Sequence, residues 1–219
     1  MGSDGLLVPT FSIVARDPAT GDLGIVVASR YLAVGAVVPW LAAGVGAVAT
    51  QAWANTNLGP EALKLLEQGV SAGEALDRVL EQDDRAELRQ LGIVDADGGV
   101  ANYTGTKCLT WAGATDGSGY TVQGNLLAGP KVIATMAAAY EAAPSSRAFP
   151  ERLVTALERG QAAGGDSRGQ QSAALVVVKT GIGQSGFNDR VIDLRVDDHP
   201  TPTAELWRLL ALHRETFGG

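Results

Sequence analysis

The sequence has few of the residues on which disulfide bonds and metal sites depend. Cys108 is the only cysteine among 219 residues, so the chain can form no intrachain disulfide. It also has only two histidines, whereas common structural zinc sites need four cysteine or histidine ligands. The sequence therefore predicts no metal site, and we expect no cofactor.

Long apolar runs and clusters of positive charge are also missing. No apolar run reaches the roughly 18 residues that a membrane-spanning helix needs. The formal net charge is −7, and lysine and arginine form no run, which argues against a nucleic-acid-binding surface. Met1–Pro9 has neither the basic region nor the long apolar region of a signal peptide. We therefore expect a cytoplasmic protein whose partner is a small molecule rather than a nucleic acid or a membrane.

The residues that are present are typical of a globular fold with many short strands. Hydrophobic residues make up 46% of the chain, close to the globular average, and 28 glycines suit many tight turns. The length allows one large domain, and no internal repeat, low-complexity segment or linker divides it. We expect a single domain at residues 10–219, preceded by a leader or propeptide at residues 1–9.

Apolar periodicity predicts strands, two helices, more strands, two further helices, two last strands and a final helix. Ser71 and Glu74 have the spacing of a capping box, which predicts the start of one helix. Two helical blocks separated by strands indicate helices on both outer faces of stacked sheets. The expected fold class is therefore α+β, with four layers in the order αββα. The predicted strands are 10–16, 23–29, 36–40, 45–53, several within 89–127, 172–179 and 190–197, and the predicted helices are 60–69, one opening at 71, 129–142, 150–163 and 202–214.

Two polar pairs lie at the ends of the first two predicted strands. Arg16 and Asp17 end the first strand, and Ser29 and Arg30 end the second. We expect these four side chains to converge on one rim of the sheet, where they would contact a substrate. The alternative is a surface turn with an ion pair that contributes little to stability.

Polar residues also interrupt or follow apolar strands. Thr50 and Gln51 lie inside an otherwise apolar strand, and buried polar side chains need hydrogen-bond partners. Either core hydrogen bonds or substrate contacts would explain them. Asn125 follows Gln123 and a glycine that allows close backbone approach, so its amide is a candidate donor to an oxyanion. A turn asparagine is the alternative.

A glycine-rich loop between a predicted helix and an apolar strand holds four further candidates, Asp166, Arg168, Gln171 and Ser172. Such a loop suits a small ligand, and Arg168 could hold a carboxylate through two parallel hydrogen bonds. The loop lacks the Lys-Ser/Thr ending of a nucleotide-binding P-loop, so we exclude that function. A structural turn is the alternative.

Several long motifs, in order along the chain, resemble one known family. They are TFSIVARD (10–17), GVGAVATQ (44–51), RQLGIVD (89–95), QGN (123–125), GGDSRGQQSA (164–173) and DLRVDDHP (193–200). The chain is similar, from residue 10 to about residue 213, to the bacterial family called domain of unknown function 1028. That family is placed in the superfamily of N-terminal-nucleophile (Ntn) hydrolases. The resemblance implies the four-layer αββα sandwich of Ntn hydrolases.

The resemblance also implies that Thr10 is both nucleophile and base. In Ntn hydrolases the side chain of the first residue attacks an amide carbonyl, and the α-amine of the same residue accepts the proton. A terminal amine titrates at about 7.7–8.0, against about 10.4 for lysine, so much of it is unprotonated near neutral pH. The implied function is hydrolysis of an amide-like C–N bond in a small substrate. Arginines near strand ends favour a substrate that carries a carboxylate.

Two departures from the superfamily's pattern leave a non-catalytic alternative open. Residues 1–9 would have to be removed, by self-cleavage or by another protease, to free the Thr10 amine. Residues 32–43 contain no charged residue, whereas proteasome-like members place a lysine on a neighbouring strand. The alternative is a module that binds a metabolite or a partner without chemistry. Because two-sheet Ntn folds often oligomerise, the resemblance also implies a homo-oligomer.

Overall fold

A computed structural model describes residues 6–181, 183 and 186–218. In these residues two antiparallel sheets and five α-helices form an α+β fold, as the sequence predicts. The strands are β1 (Leu6–Val8), β2 (Thr10–Arg16), β3 (Leu23–Ser29), β4 (Pro39–Ala42), β5 (Gly46–Ala54), β6 (Arg89–Asp95), β7 (Val100–Thr104), β8 (Gly113–Gly117), β9 (Tyr120–Gly124), β10 (Ser172–Val178) and β11 (Arg190–Val196). The helices are α1 (Leu58–Glu67), α2 (Ala72–Glu81), α3 (Lys131–Glu141), α4 (Phe149–Ala162) and α5 (Pro202–Phe217).

The two sheets divide the strands unequally. The six-stranded sheet has the order β11-β10-β3-β2-β9-β8. The five-stranded sheet has the order β1-β5-β6-β7, and β4 pairs with the first half of β5. Strands β1 and β2 therefore belong to different sheets, although only Pro9 separates them.

Three hydrophobic clusters hold the layers together. Successive side chains of a strand point to opposite faces, so Phe11 and Ile13 of β2 pack against helices while Val14 faces the other sheet. The first cluster fills the space between the six-stranded sheet and α3, α4 and α5, and it includes Leu157. The second lies between the two sheets. The third lies between the five-stranded sheet and the pair α1 and α2, and it includes Leu76.

The helices occur close to the predicted positions because their ends carry local sequence signals. Ser71 Oγ accepts a hydrogen bond from the N–H of Glu74 at 3.4 Å and begins α2. Proline lies in the first turn of α4 and of α5, where its missing N–H costs no hydrogen bond. Within the described ranges, no helix combines the length and the apolar character needed to cross a bilayer.

The strand predicted at residues 36–40 is displaced toward the C-terminus in the structure. A short 3-10 helix occupies Val34–Ala36, and strand β4 begins only at Pro39. Ala33 precedes the 3-10 turn with a left-handed φ of 56°, and a side chain at Gly35 would collide with β10. The apolar sequence could not reveal this turn, because packing against a distant strand causes it.

Candidate functional site

Thr10 lies at the start of β2, and only Pro9 separates it from the end of β1. Its side chain is fully buried, and Oγ1 donates a hydrogen bond to the backbone oxygen of Val8 at 2.8 Å. Its nitrogen forms the peptide bond with Pro9. The α-amine that an N-terminal nucleophile uses is therefore not free while residues 6–9 are attached.

Two side chains donate hydrogen bonds to the carbonyl oxygen of Pro9, which belongs to the peptide bond before Thr10. Ser29 Oγ lies 2.5 Å from this oxygen, and Arg168 Nη2 lies 3.3 Å from it. Ser29 is in position because β3 pairs with β2 so that Ser29 lies opposite Thr10. A hydroxyl and a guanidinium on one carbonyl oxygen would stabilise negative charge that develops on that atom.

A buried carboxylate fixes the orientation of Arg168. Asp166 Oδ1 accepts a hydrogen bond from Arg168 Nε at 3.0 Å, and Asp166 Oδ2 accepts one from Nη2 at 2.6 Å. The backbone N–H of Arg30 donates to the same carboxylate at 3.0 Å, and the Arg30 guanidinium donates to the backbone oxygen of Arg168. The two-point contact holds the planar guanidinium in one orientation beside Pro9.

The backbone of Thr10 is held from the other side of the site. Its carbonyl oxygen accepts hydrogen bonds from the backbone N–H of Asn125 at 3.0 Å and from Gln51 Nε2 at 3.3 Å. Gln51 belongs to the five-stranded sheet, and Asn125 follows β9 of the six-stranded sheet. Thr10 is therefore positioned by both sheets.

Five buried polar side chains form an inter-sheet amide network next to Thr10; the name covers Ser12, Gln51, Gln90, Gln123 and Asn125. Gln90 Oε1 accepts hydrogen bonds from Gln51 Nε2 at 2.9 Å and from Asn125 Nδ2 at 3.0 Å. Ser12 Oγ donates to Gln51 Oε1 at 2.8 Å and accepts from Gln123 Nε2 at 2.7 Å. Gln51 therefore forms hydrogen bonds in the core, which is one of the two explanations that the sequence left open for it; the other is contact with a substrate.

Asn125 uses its side-chain N–H group inside this network. Its Nδ2 donates to Gln90, while its buried Oδ1 has no hydrogen-bond partner among the described residues. The side chains that donate to the Pro9 carbonyl oxygen are Ser29 and Arg168. A role for Asn125 as an oxyanion donor stays a prediction.

Three other candidates make contacts that support the local fold. Ser172 Oγ donates to a backbone oxygen of the segment after β3 at 2.5 Å. The backbone N–H of Gln171 donates to the carbonyl oxygen of Ser29 at 3.1 Å. Thr50 Oγ1 donates to the backbone oxygen of Asn55 at 3.3 Å. Substrate contact by these three residues stays a prediction.

Arg16 and Asp17 do not converge with Ser29 and its neighbour, so the expectation of one shared rim is wrong. Strands β2 and β3 are antiparallel, and Arg16 lies opposite Leu23 at the far end of the hairpin. A strand of seven residues spans about 20 Å, which separates the two polar pairs. Asp17 instead faces α4, where its Oδ1 lies 3.9 Å from Arg152 Nη1.

Cys108 is a poor alternative to Thr10 as a nucleophile. Burial raises the pKa of its thiol to about 11, although a hydrogen bond from the backbone of Gly105 acts in the opposite direction. The thiolate is the nucleophilic form, and it is scarce at neutral pH when the pKa is this high. In the part of the chain that the structure describes, no group of three or more His, Cys, Asp or Glu side chains could hold a metal ion.

Two surface cavities, of about 440 Å³ each, lie away from the residues around Thr10. One is formed by β11, α4 and α5 and is lined by His213 and Phe217 among others. The second lies between β8 and α3 and is lined by Trp111 and Tyr120 among others. Thr10 itself is fully buried in the intact chain, so the convergence of polar groups, rather than open volume, locates the candidate site.

Sequence reasoning missed Gln90 and Ser12, and it treated Pro9 only as the end of a leader. Gln90 lies in β6 before an apolar run, and Ser12 has apolar neighbours in β2. A polar residue inside an apolar strand is the same signal that pointed to Gln51. Applied to every predicted strand, that signal would have found both residues.

Comparison with known proteins places the chain in one family. The model of a family of unknown function, DUF1028, matches residues 10–206. The chain belongs to this family. A solved DUF1028 structure, protein SPO2555 from Silicibacter pomeroyi, is 31% identical with a TM-score of 0.85, and the match covers 94% of this chain and 89% of that chain. A comparison with curated proteins finds no match.

Membership of the DUF1028 family confirms the resemblance that the motifs indicated. The DUF1028 match includes Thr10, Ser29, Asp166 and Arg168, so the residues that meet around the Pro9 carbonyl lie within the family's domain. The function of the family is unknown, so membership assigns no activity to this site.

Proposed function

We propose that this DUF1028 protein is an amidohydrolase of the N-terminal-nucleophile type, with Thr10 as its catalytic residue. The three hydrophobic clusters support four layers in the order αββα, which the resemblance to Ntn hydrolases implies. Thr10 begins an inner strand of the six-stranded sheet, next to the inter-sheet amide network. A hydroxyl placed there can act on a carbonyl held by neighbouring donors.

The observation that carries the proposal is the pair of donors on the Pro9 carbonyl oxygen. The carbon of this carbonyl is bonded to the nitrogen of Thr10, so it occupies the acyl position next to the nucleophile. Ser29 and Arg168 donate to the oxygen on which charge would develop during attack by a hydroxyl. After release of Thr10, the carbonyl of a substrate could take the place of the Pro9 carbonyl and use the same donors.

The reaction would proceed through an ester on Thr10. Oγ1 forms a bond to the carbonyl carbon of the substrate while its proton moves to the α-amine of Thr10. The C–N bond then breaks, and the leaving amine takes that proton. Water attacks the ester, the bond to Oγ1 breaks, and Oγ1 recovers a proton as the acid leaves. The cationic groups of Arg168 and Arg30 favour a substrate that carries a carboxylate.

The test is a chain in which the Thr10 amine is freed after folding. Asp-Asp-Asp-Asp-Lys, the recognition sequence of enteropeptidase, is inserted between Pro9 and Thr10 so that Leu6–Val8 are kept, and the folded full-length chain is cut before Thr10. We expect the cut protein to hydrolyse members of a panel of small amides and the uncut protein to be inactive. Mass spectrometry verifies the cut, and circular dichroism verifies the fold.

Variants of Thr10 test whether turnover depends on the Thr10 hydroxyl or on another effect of the cut. Thr10→Ser keeps a hydroxyl and should retain turnover, whereas Thr10→Ala should lose it by at least about 1,000-fold. Both variants are cut in the same way and compared by initial rates. Turnover by the Thr10→Ala chain, or turnover that the cut does not change, would contradict the proposal.

A second function, binding without chemistry, is favoured by the burial of Thr10 in the intact chain. In that case the Asp166–Arg168 pair would hold a metabolite or a partner. The intact mass of freshly purified wild-type protein separates the two functions. A species that begins at Thr10 supports the hydrolase. Full-length protein alone, binding metabolites without turning them over, supports the binding module.

A further inference from the structure

Strand β1 covers the edge of β5 at its last three residues. Leu6–Val8 lie opposite Ala52–Ala54 in an antiparallel pair. β6 occupies the other edge of β5, and β4 covers the first half of the edge on which β1 lies. In the described part of the chain, β1 is therefore the outermost strand at this point and is joined to the sheet through one partner.

The side chains next to this pairing provide an apolar pocket and a polar end. Val8 is fully buried and packs in the cluster between the sheets, whereas Leu6 is 44% exposed. Pro9 follows, and its carbonyl oxygen is held by Ser29 and Arg168. Main-chain pairing along a sheet edge, with a pocket for an alternate side chain, is the way in which many proteins bind extended peptides.

The backbone of β5 is distorted at the same point. Ala52 has a φ of 69°, a left-handed conformation that residues other than glycine seldom adopt. Ala52 lies opposite Val8 in β1 and opposite Arg89 in β6. Backbone strain of this kind is found mainly at functional sites, where the surrounding structure maintains it.

We propose that this edge of β5, together with Ser29 and Arg168, is a binding site for an extended apolar peptide that ends in a carboxylate. Residues 6–9 occupy the site in the intact chain. The inference rests on the proposed function in one respect, since the site opens only when the residues before Thr10 leave. It also names a substrate class for that function, because the acyl part of the substrate is then a short apolar peptide segment.

The preference for a carboxylate follows from the donors at Pro9. Once the bond to Thr10 is cut, the carbonyl of Pro9 becomes a carboxylate with a full negative charge. Ser29 Oγ and Arg168 Nη2 already donate to one of its oxygens, and the guanidinium supplies the opposite charge. The peptide Leu-Leu-Val-Pro, which has the sequence of residues 6–9, is therefore the probe that matches the site.

The test uses the chain with the enteropeptidase sequence, now carrying Thr10→Ala so that turnover is removed. The chain is folded at full length and cut, the released segment is dialysed away, and peptide binding is measured by calorimetry. The reversed peptide Pro-Val-Leu-Leu has the same composition, and Leu-Leu-Val-Pro with an amide end lacks the charge. We expect the peptide acid to bind at least about 10-fold more tightly than either control.

A pair of serine variants tests the polar end of the site. Ser29→Ala removes one donor, so we expect it to weaken binding of the peptide acid about 10-fold. Ser167→Ala is the matched control, because Ser167 lies in the same loop as Arg168 and is exposed. The control variant should bind the peptide acid as the parent chain does.

Equal binding of all three peptides, or no binding to a folded cut chain, would overturn the inference. If the cut chain is unfolded, the peptides are added in excess during refolding, since a ligand of the native state stabilises it. Recovery with Leu-Leu-Val-Pro alone supports the site, and recovery with none of the peptides or with all of them overturns it. Peptide binding without amide hydrolysis would contradict only the proposed function. Hydrolysis without peptide binding would contradict only this inference.

Discussion

At the scale of single residues, Gln90 joins the two sheets beside Thr10. Its Oε1 accepts hydrogen bonds from Gln51 in β5 and from Asn125 after β9. Its Nε2 donates to the backbone oxygen of Gly124 at 2.8 Å and to Thr104 Oγ1 at 3.0 Å. Because the side chain is fully buried, water cannot replace these partners.

Replacing Gln90 with leucine should lower the free energy of unfolding by about 2–4 kcal/mol, because Gln51 and Asn125 each lose a buried acceptor. Urea denaturation followed by circular dichroism measures this change. Gln68→Leu is the matched control, since Gln68 is exposed at the end of α1 and its replacement should change stability by less than about 0.5 kcal/mol. A Gln90→Leu chain as stable as the wild type would show that the network does not stabilise the fold.

Individual site residues could be predicted from the sequence where their immediate neighbours mark the position, for example as a strand end or a glycine-rich loop. Ser29 at a strand end and Arg168 in a glycine-rich loop were candidates on that basis, and both contact the Pro9 carbonyl. The separation of Arg16 from these residues could also have been predicted, because the short connection between β2 and β3 requires antiparallel strands and places Arg16 at the turn end of the hairpin. Gln90 acts through partners on other strands, and a polar residue in one strand does not reveal those partners.

At the scale of elements, a buried ion pair fixes the connection between α2 and β6. Asp83 accepts hydrogen bonds from Arg89 Nε at 2.8 Å and Nη2 at 3.0 Å, and from Asn55 Nδ2 at 3.0 Å. Burial by itself would raise the pKa of Asp83. The hydrogen bonds from Arg89, Asn55 and the backbone N–H of Arg85 outweigh burial and hold that pKa below its usual range.

This pair should make stability depend on pH in the acid range. Because the folded-state pKa of Asp83 lies below the unfolded value of about 3.9, its contribution is complete above that value and is lost as the pH falls through the folded-state pKa. We expect Asp83→Asn to be less stable than wild type at neutral pH, with a difference that shrinks below about pH 4. Urea unfolding at a series of pH values measures both chains.

The neighbouring aspartate provides the control for this pH dependence. Asp84 is exposed, so Asp84→Asn should follow the wild type at each pH. A deficit of Asp83→Asn that stays constant throughout the acid range would contradict the assignment of the shift to this ion pair.

Elements could be predicted where their boundaries depend on local chemistry. The start of α2 depends on Ser71, and the starts of α4 and α5 on prolines within the same turn, so periodicity and caps were sufficient. Strand β4 was displaced because the preceding turn depends on packing against β10. Strand β1 was not predicted, since three residues carry too little periodicity and their partner lies in β5.

At the scale of the whole molecule, the two sheets approach each other closely beside the site. Gly92 in β6 faces Gln123 in β9, and a Cβ at position 92 would lie well inside contact distance of the Gln123 amide. Gln123 cannot move aside freely, because it is buried and hydrogen-bonded to Ser12 and Thr121. Glycine at position 92 therefore sets the spacing of the sheets.

Replacing Gly92 with alanine should lower the free energy of unfolding by about 1–3 kcal/mol, because the added methyl group forces the sheets or the network apart. Gly73→Ala is the matched control: apart from its chain neighbours and the backbone of its own helix, no atom of the described residues lies within 4 Å of the added Cβ. Gly73 is in α2, where alanine is favoured by up to about 1 kcal/mol. Thermal and urea unfolding of the two variants should shift in opposite directions. Equal shifts would contradict a special role for position 92.

The architecture as a whole could be predicted only in part from the sequence. Blocks of helices between blocks of strands indicated the α+β class, because each block must cover a sheet face. Contacts between the sheets, such as that of the Gln123 side chain with the space left by the missing side chain of Gly92, determine which strands face each other. The two residues of such a contact are far apart in the chain, so the sequence does not reveal it.

The position of Pro9 between two strands of different sheets has a consequence for maturation. Hydrolysis of the Pro9–Thr10 bond would create a new terminus and, in the same step, break one of the covalent connections between the sheets. In the proposed hydrolase, release of the catalytic amine and loss of this link between the sheets would then be a single irreversible event.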